Sequence, residues 1–284
     1  MEQFSRCCLI TNSSSGSNRQ AAVEEVKDAL AQHEIEIVRA VEFPEQDLPT
    51  GQELDAAGLS LVVVFTGDGS VNSAISQLAD WTGAVLVLPG GTMNLLSRRL
   101  HRDFEAGRII ELVAGGAARR VRPNVCQSRH GFALAGLLVG PGTCWSEVRE
   151  ATRDMNIPAI AETTVEAIGQ TAEGPPVAMI EPRLGRPQGY QLVEITPGEH
   201  GLQFDGFYAD TPTDYARQGW AVLRRKFREG PHDRIGMVGD ATLQSADETP
   251  LEMLIDGEPI KGEPVERFLA TRCPVDLLAT AHSD

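Results

Sequence analysis

The stretch Leu59–Leu100, LSLVVVFTGDGSVNSAISQLADWTGAVLVLPGGTMNLLSRRL, decides the fold. Leu59–Phe65 is a continuous apolar run, the signature of a strand buried on both faces of a parallel sheet. Val71–Leu78 returns to helical spacing. Ala84–Leu88 is a second buried-type strand, and Asn94–Leu100 opens another helix. Strand, glycine loop, helix, strand, glycine loop, helix is the rhythm of a doubly wound α/β layer with right-handed crossovers.

The same alternation extends outward. Arg6–Thr11 is a short β-prone run, and Asn12–Asn18 is a polar, turn-like loop. Gln20–Gln32 has helical spacing, and Ile35–Val41 is β-prone again. The second half reads differently. Phe132–Val139, Val177–Ile180, Tyr190–Ile195, Leu202–Ala209, Arg234–Gly239, Leu251–Ile255 and Arg267–Thr271 are short β-type runs separated by Gly, Pro, Asp and Asn. Helical signals there are few, chiefly Trp145–Met155 and Tyr215–Arg228. This predicts an antiparallel sandwich or barrel-like domain. The expected division is an α/β domain over 1–123 and a β domain over 124–272. A last strand in 273–284 could join either.

Acids outnumber bases, 40 Asp+Glu against 25 Lys+Arg, for a net charge of −15. Such a body repels nucleic acid and anionic membrane at long range, so a nucleic-acid partner is not expected. No apolar run approaches the ~20 residues that span a bilayer. The opening MEQFSRCCLI has none of the features of a secretory leader, so a cytoplasmic protein is expected. The charge is uneven. Residues 98–130 hold 8 arginines and 3 acids, a basic island just after the glycine-rich loops. Five cysteines without a CxxC argue against a disulfide framework or zinc ribbon, and Cys7 and Cys8 read as buried small residues. Six histidines form no HExxH or HxxxH pair, so a His-based metal site has no support.

Two loops fit a phosphate. Thr66-Gly67-Asp68-Gly69-Ser70 and Pro89-Gly90-Gly91-Thr92-Met93-Asn94 each follow a strand and precede a helix, where open α/β sheets bind ligands. Glycine lets the backbone approach an anion, and a helix N-terminus offers N–H donors to it. Asp68 between two glycines suits Mg²⁺, which prefers carboxylate oxygen and bridges nucleotide phosphates. Other nucleotide motifs fail. None of Lys27, Lys226 and Lys261 follows a glycine, which excludes a Walker A loop. Asn72 stands where a Rossmann fingerprint needs its third glycine. His101-Arg102-Asp103 mimics a protein-kinase catalytic loop, but Arg108 stands where Asn is needed and no DFG follows.

NSSSG (Asn12–Gly16), TGDGSVN (Thr66–Asn72), LPGGTMNLLSR (Leu88–Arg98) and a late Asp256-Gly257-Glu258 resemble, in order and spacing, the diacylglycerol kinase catalytic-domain family. That family includes bacterial lipid kinases, sphingosine kinases and ceramide kinases. Its pattern is roughly NPxSG, GGDGTxNE, PxGTxNDFAR and DGE. Thr66 and Ser70 are mild departures; Ser73 and Leu95 replace acids, and the family's acidic DGxLD segment is weak here at Gly201–Asp205. The resemblance implies an ATP-binding α/β domain, a β-sandwich domain, and transfer of a phosphoryl group to a lipid hydroxyl. It implies that Asn12, Ser13, Ser14, Ser15 and Gly16 line the nucleotide. Thr66, Gly67, Asp68, Gly69, Ser70 and Asn72 would cradle its phosphates, with Gly91, Thr92 and Asn94 completing the pocket. Asp68 would meet Mg²⁺ through the phosphates. Glu258 would be the general base, with Asp256 beside it, since a lipid hydroxyl must lose a proton to attack. Asp256-Gly257 alone reads as a hairpin turn, and such a turn can also present Glu258.

Arg98, Arg99 and Arg102 could contact ATP, a phospholipid headgroup or only solvent. Trp220–Arg228 mixes apolar and basic residues at helical spacing, suited to a membrane surface or to packing on its own domain. The expected partners are a lipid substrate and a transient, peripheral membrane contact; a homodimer stays open. Two other readings stand beside the lipid kinase: an NAD kinase-like enzyme, and a nucleotide- or lipid-binding protein without turnover.

Overall fold

A computed structural model describes residues 4–12, 17–91, 93–144, 174–208 and 232–281. The chain divides into two compact units: Met1–Pro123 with Arg272–Asp284, and Asn124–Thr271.

The first unit is built on one six-stranded sheet. Its strands are β1 (Arg6–Thr11), β2 (Glu36–Glu42), β3 (Leu61–Thr66), β4 (Ala84–Pro89), β5 (Arg119–Val121) and the late β17 (Asp276–Ala279), in the order β2-β1-β3-β4-β17-β5. All neighbours run parallel except β17 and β5. Every residue of β3 is buried, which is why its sequence shows no polar alternation. Helices α1 (Ser17–Gln32), α2 (Gly51–Ala56), α3 (Asp68–Gln77), α4 (Leu95–His101) and α5 (Ala106–Ala114) connect the strands. Leu9, Leu61, Val63, Leu86 and Leu88 share one core with Val26 and Leu30 of α1 and Ile109, Ile110 and Val113 of α5. The expected parallel α/β layer is present. Two short elements were not read from the sequence. Helix α2 starts at a capping box, in which Thr50 and Glu53 bond each other's backbone N–H. Helix α5 follows a loop and is held by its single apolar stripe.

The last strand is stitched in at both edges. Asp276 accepts from Arg122 Nε at 2.6 Å and from Arg120 Nη1 at 3.2 Å. Burial works against its ionisation, but the two guanidiniums hold its carboxyl below the ordinary value. Two arginines of the basic island thus serve the fold.

The second unit is a sandwich of two antiparallel sheets. One has the order β12-β11-β10-β8-β14-β15: His232–Val238, Gly201–Phe207, Leu192–Gly198, Leu137–Val139, Glu252–Ile255 and Glu258–Lys261. The other has the order β7-β6-β16-β13-β9: Gly131–Ala133, Asn124–Ser128, Val265–Arg272, Asp240–Ser245 and Val177–Glu181. Val193, Ile195, Phe204 and Met253 of the first meet Ala133, Leu243 and Phe268 of the second in one core. One expected run is broken. Phe132–Val139 is two strands, because the backbone at 134–136 turns aside to bond Asp256. Cys7, Cys8, Cys126 and Cys273 are buried thiols. Burial raises Cys7 to about 12 and Cys8 to about 11, so neither offers a thiolate at neutral pH. The helical signals at 145–155 and 215–228 lie outside the described residues. No described helix is long and apolar enough to cross a membrane.

Candidate functional site

In the first unit the loops after β1, β3 and β4 lie at the C-terminal ends of neighbouring parallel strands. The β1 loop meets the β3 loop through Asn12, whose Nδ2 donates to Ser70 Oγ at 3.0 Å. The β3 and β4 loops touch backbone to backbone. A Cβ placed on Gly91 would come within 2.6 Å of Gly67 Cα, and one on Gly90 within 2.5 Å of Thr66 N. These two glycines are required by that close approach rather than by their dihedral angles. Thr66 is buried at the end of β3, where its Oγ1 donates to the Gly67 carbonyl at 3.2 Å. Gly67 is the N-cap of α3, so the N–H groups of Asp68, Gly69 and Ser70 form the first helical turn, which has no partners within the helix.

Asn94 shapes the second loop. It takes a left-handed conformation at φ 51°, which Asn tolerates better than most residues. Its side chain closes a ring on Gly91, accepting from the Gly91 N–H at 2.6 Å and donating to the Gly91 carbonyl at 2.9 Å. Asn94 therefore leaves the first turn of α4 uncapped by its own side chain, and Asp68 does that work from the other loop. The Asp68 carboxylate accepts from Leu95 N–H at 3.3 Å and Leu96 N–H at 3.4 Å. Burial pushes the Asp68 carboxyl above the ordinary value, against the lowering pull of those N–H groups. Asn72 lies further along α3, where Ser76 Oγ donates to its Oδ1 at 3.2 Å. Ser13, Ser14, Ser15, Gly16 and Thr92 lie outside the described residues.

Among the described residues no three His, Cys, Asp or Glu side chains gather into a metal cage. Asp68 offers a single half-buried carboxylate beside helix N–H donors. That is too little for a resident protein-held metal. It fits Mg²⁺ that arrives on phosphates and keeps most of its waters. The close-set glycine loops likewise fit a nucleotide phosphate laid against the backbone.

The second unit holds the Asp256-Gly257 turn. Ile255 pairs with Glu258, and both turn residues have positive φ, 50° and 96°. This is the two-residue hairpin turn that an Asp-Gly pair favours. Asp256 accepts three backbone N–H groups: Leu134 at 2.8 Å, Ala135 at 2.9 Å and Gly136 at 3.0 Å. Its own N–H donates to the Gly136 carbonyl at 3.0 Å. Asp256 is thus a clamp on the 134–136 backbone. Glu258 opens β15, exposed. The sequence pointed to both carboxylates but not to this division. A carboxylate that serves distant backbone leaves no local pattern, and neither does the Asp68–α4 contact.

Residues 6–124 match the profile described as the diacylglycerol kinase catalytic domain. No curated protein matches the chain. Among solved structures, one described as a diacylglycerol kinase from Bacillus anthracis is 17% identical, with a TM-score of 0.64, covering 98% of each chain. A second, provisionally described diacylglycerol kinase from the same organism is 16% identical, with a TM-score of 0.62, covering 98% of this chain and 96% of the other. At such identities the likeness shows the fold of both units. The matched residues include the paired glycine loops and Asp68.

Proposed function

We propose that this protein is a lipid kinase that moves the γ-phosphoryl group of Mg²⁺-bound ATP to a hydroxyl of diacylglycerol or a related lipid. The observation that carries the reading is the junction of the two glycine loops, with Asp68 at its centre and the first turn of α3 open beside it. Backbone N–H groups of Gly69 and Ser70 are donors for phosphate oxygens, and Asn12 and Thr66 bound the same loops. Mg²⁺, when bound, offsets charge on the phosphates during transfer. Asp68 would face the ion with a negative charge that partial burial makes costly.

Glu258 is the proposed general base. It accepts the hydroxyl proton as the lipid oxygen forms its bond to the γ-phosphorus, and the bond to ADP breaks with its electron pair. Its exposure leaves the carboxylate available, whereas Asp256 is committed to backbone donors. The test is transfer from γ-labelled ATP to a total lipid extract, followed by identification of the product. Wild type should label a lipid, and Asp68→Asn should lower the rate at least a hundredfold. A folded, Mg²⁺-supplied protein that labels no lipid in a broad panel refutes the proposal. Labelled NADP made from NAD would reassign the acceptor.

A further inference from the structure

Asn94 stands directly before α4, where an asparagine side chain ordinarily caps its own helix. This one makes no cap. Its carboxamide reaches back to Gly91, and the two ends of the amide match the two polar groups of that residue. Oδ1 accepts the Gly91 N–H at 2.6 Å, and Nδ2 donates to the Gly91 carbonyl at 2.9 Å. The residue it holds is the one that meets the first loop. A Cβ on Gly91 would lie 2.6 Å from Gly67 Cα. Gly67 is the N-cap of α3, so whatever fixes Gly91 also fixes the start of that helix, whose first turn has no partners within the helix. The second loop has spent most of its own donors. The Gly90 N–H goes to the Leu88 carbonyl at 2.9 Å, the Gly91 N–H to Asn94, and the Leu95 and Leu96 N–H groups to Asp68.

We propose that Asn94 is a positioning residue for the nucleotide phosphates. It acts without touching them, by locking the second glycine loop as a backstop behind the first. The N–H groups of Asp68, Gly69 and Ser70 are thereby held in one arrangement before the ligand arrives. The inference rests on the nucleotide half of the lipid-kinase reading and gives the two loops different tasks: the first binds, the second holds. The motif alone places Gly91 and Asn94 against the nucleotide; in the structure their polar groups are spent on each other. The need for a lock is physical. Gly67, Gly69, Gly90 and Gly91 give both loops a backbone with many accessible conformations. Each conformation removed in advance is a cost that phosphate binding no longer carries.

The test is displacement of a fluorescent ATP analogue from the full chain, with Mg²⁺ present, by two competitors. Inorganic tripolyphosphate carries only the phosphates, and adenosine carries none. Asn94→Gly keeps a residue that tolerates the left-handed backbone and removes both bonds to Gly91. It should weaken tripolyphosphate about tenfold, leave adenosine within about twofold of wild type, and melt close to wild type. Gly91→Ala drives a methyl group at Gly67 and should weaken tripolyphosphate by a similar factor. Both changes act through one contact, so the double variant should lose no more than the weaker-binding single variant. Unchanged tripolyphosphate affinity in Asn94→Gly, equal losses for tripolyphosphate and adenosine, or losses that multiply in the double variant overturn the proposal. Turnover is followed in parallel. Where lipid is labelled, the KM for ATP should rise in Asn94→Gly with the KM for lipid unchanged; the opposite split overturns the proposal. A protein that labels no lipid but shows the tripolyphosphate changes refutes the kinase and leaves Asn94 in its role. Lipid labelling with unchanged tripolyphosphate binding in Asn94→Gly does the reverse, and failure of wild type to bind the analogue overturns both.

Discussion

Asp256 and Glu258 are two positions apart in one hairpin, and they should respond to substitution in opposite ways. Asp256→Ala leaves three backbone N–H groups without their charged acceptor, a loss of about 2–4 kcal/mol. Urea unfolding would show it as a lowered midpoint at unchanged slope. Glu258→Gln alters an exposed side chain, so stability should stay within about 0.5 kcal/mol while lipid transfer falls at least a hundredfold. Asp68 is a third case. Its folded carboxyl titrates above the ordinary value, so the ionised form costs stability once the pH passes that point, and the cost is relieved as pH falls. Asp68→Asn removes that cost and keeps one acceptor for the α4 N–H groups. Its thermal stability at neutral pH should lie within about 1 kcal/mol of wild type even as transfer collapses. At this scale the sequence identified the carboxylates by their glycine neighbours. Which of them clamps and which stays exposed depends on Leu134–Gly136 and Leu95, far away in the chain.

Among the described residues, helix α4 carries a clear pH signature in His101. His101 is fully buried on it, with Nδ1 2.9 Å from Thr280 Oγ1, and burial lowers its imidazole to about 4. The unfolded chain takes up that proton near pH 6.5 and the folded chain only near 4, so stability is complete above 6.5 and lost as pH falls toward 4. The loss attributable to this residue is about 3 kcal/mol at most. Melting curves between pH 7 and 4 should fall more steeply for wild type than for His101→Gln. Strands β3 and β4 are plain in the sequence because burial on both faces leaves the continuous apolar runs LVVVF and AVLVL. Those missed have tertiary causes. The short strand β15 is polar and exists by pairing with β14, and the break in 132–139 is imposed by Asp256.

For the whole molecule, the chain crosses between its units twice, after Pro123 and before Arg272. The two crossings lie side by side. The Cys273 N–H donates to the Pro123 carbonyl at 2.8 Å, and Arg272 Nη1 to the Arg122 carbonyl at 3.2 Å. Residues 124–271 are thus an insertion whose ends nearly meet. A chain joining Met1–Pro123 to Arg272–Asp284 through a short Gly-Ser linker should melt cooperatively, as followed by circular dichroism. Met1–Pro123 alone should not. It lacks β17, whose Leu277 and Leu278 are buried between β4 and β5. Two such side chains contribute about 2 kcal/mol each, a large part of a domain's 5–15 kcal/mol.

The placement of β17 also sets an order of events during synthesis. A ribosome has made the glycine loops and Asp68 before residue 100, yet the strand that fills the gap between β4 and β5 comes only at Asp276–Ala279. At 5–20 residues per second the interval is roughly 10–35 seconds. Throughout it the nascent sheet stays open, and α4 lacks the Thr280 and Ala281 N–H groups that hold its end. A message cut short between the loops and β17 yields a product with both glycine loops and no finished sheet. Completion of the first unit's sheet therefore waits on β17, however early its glycine loops are made.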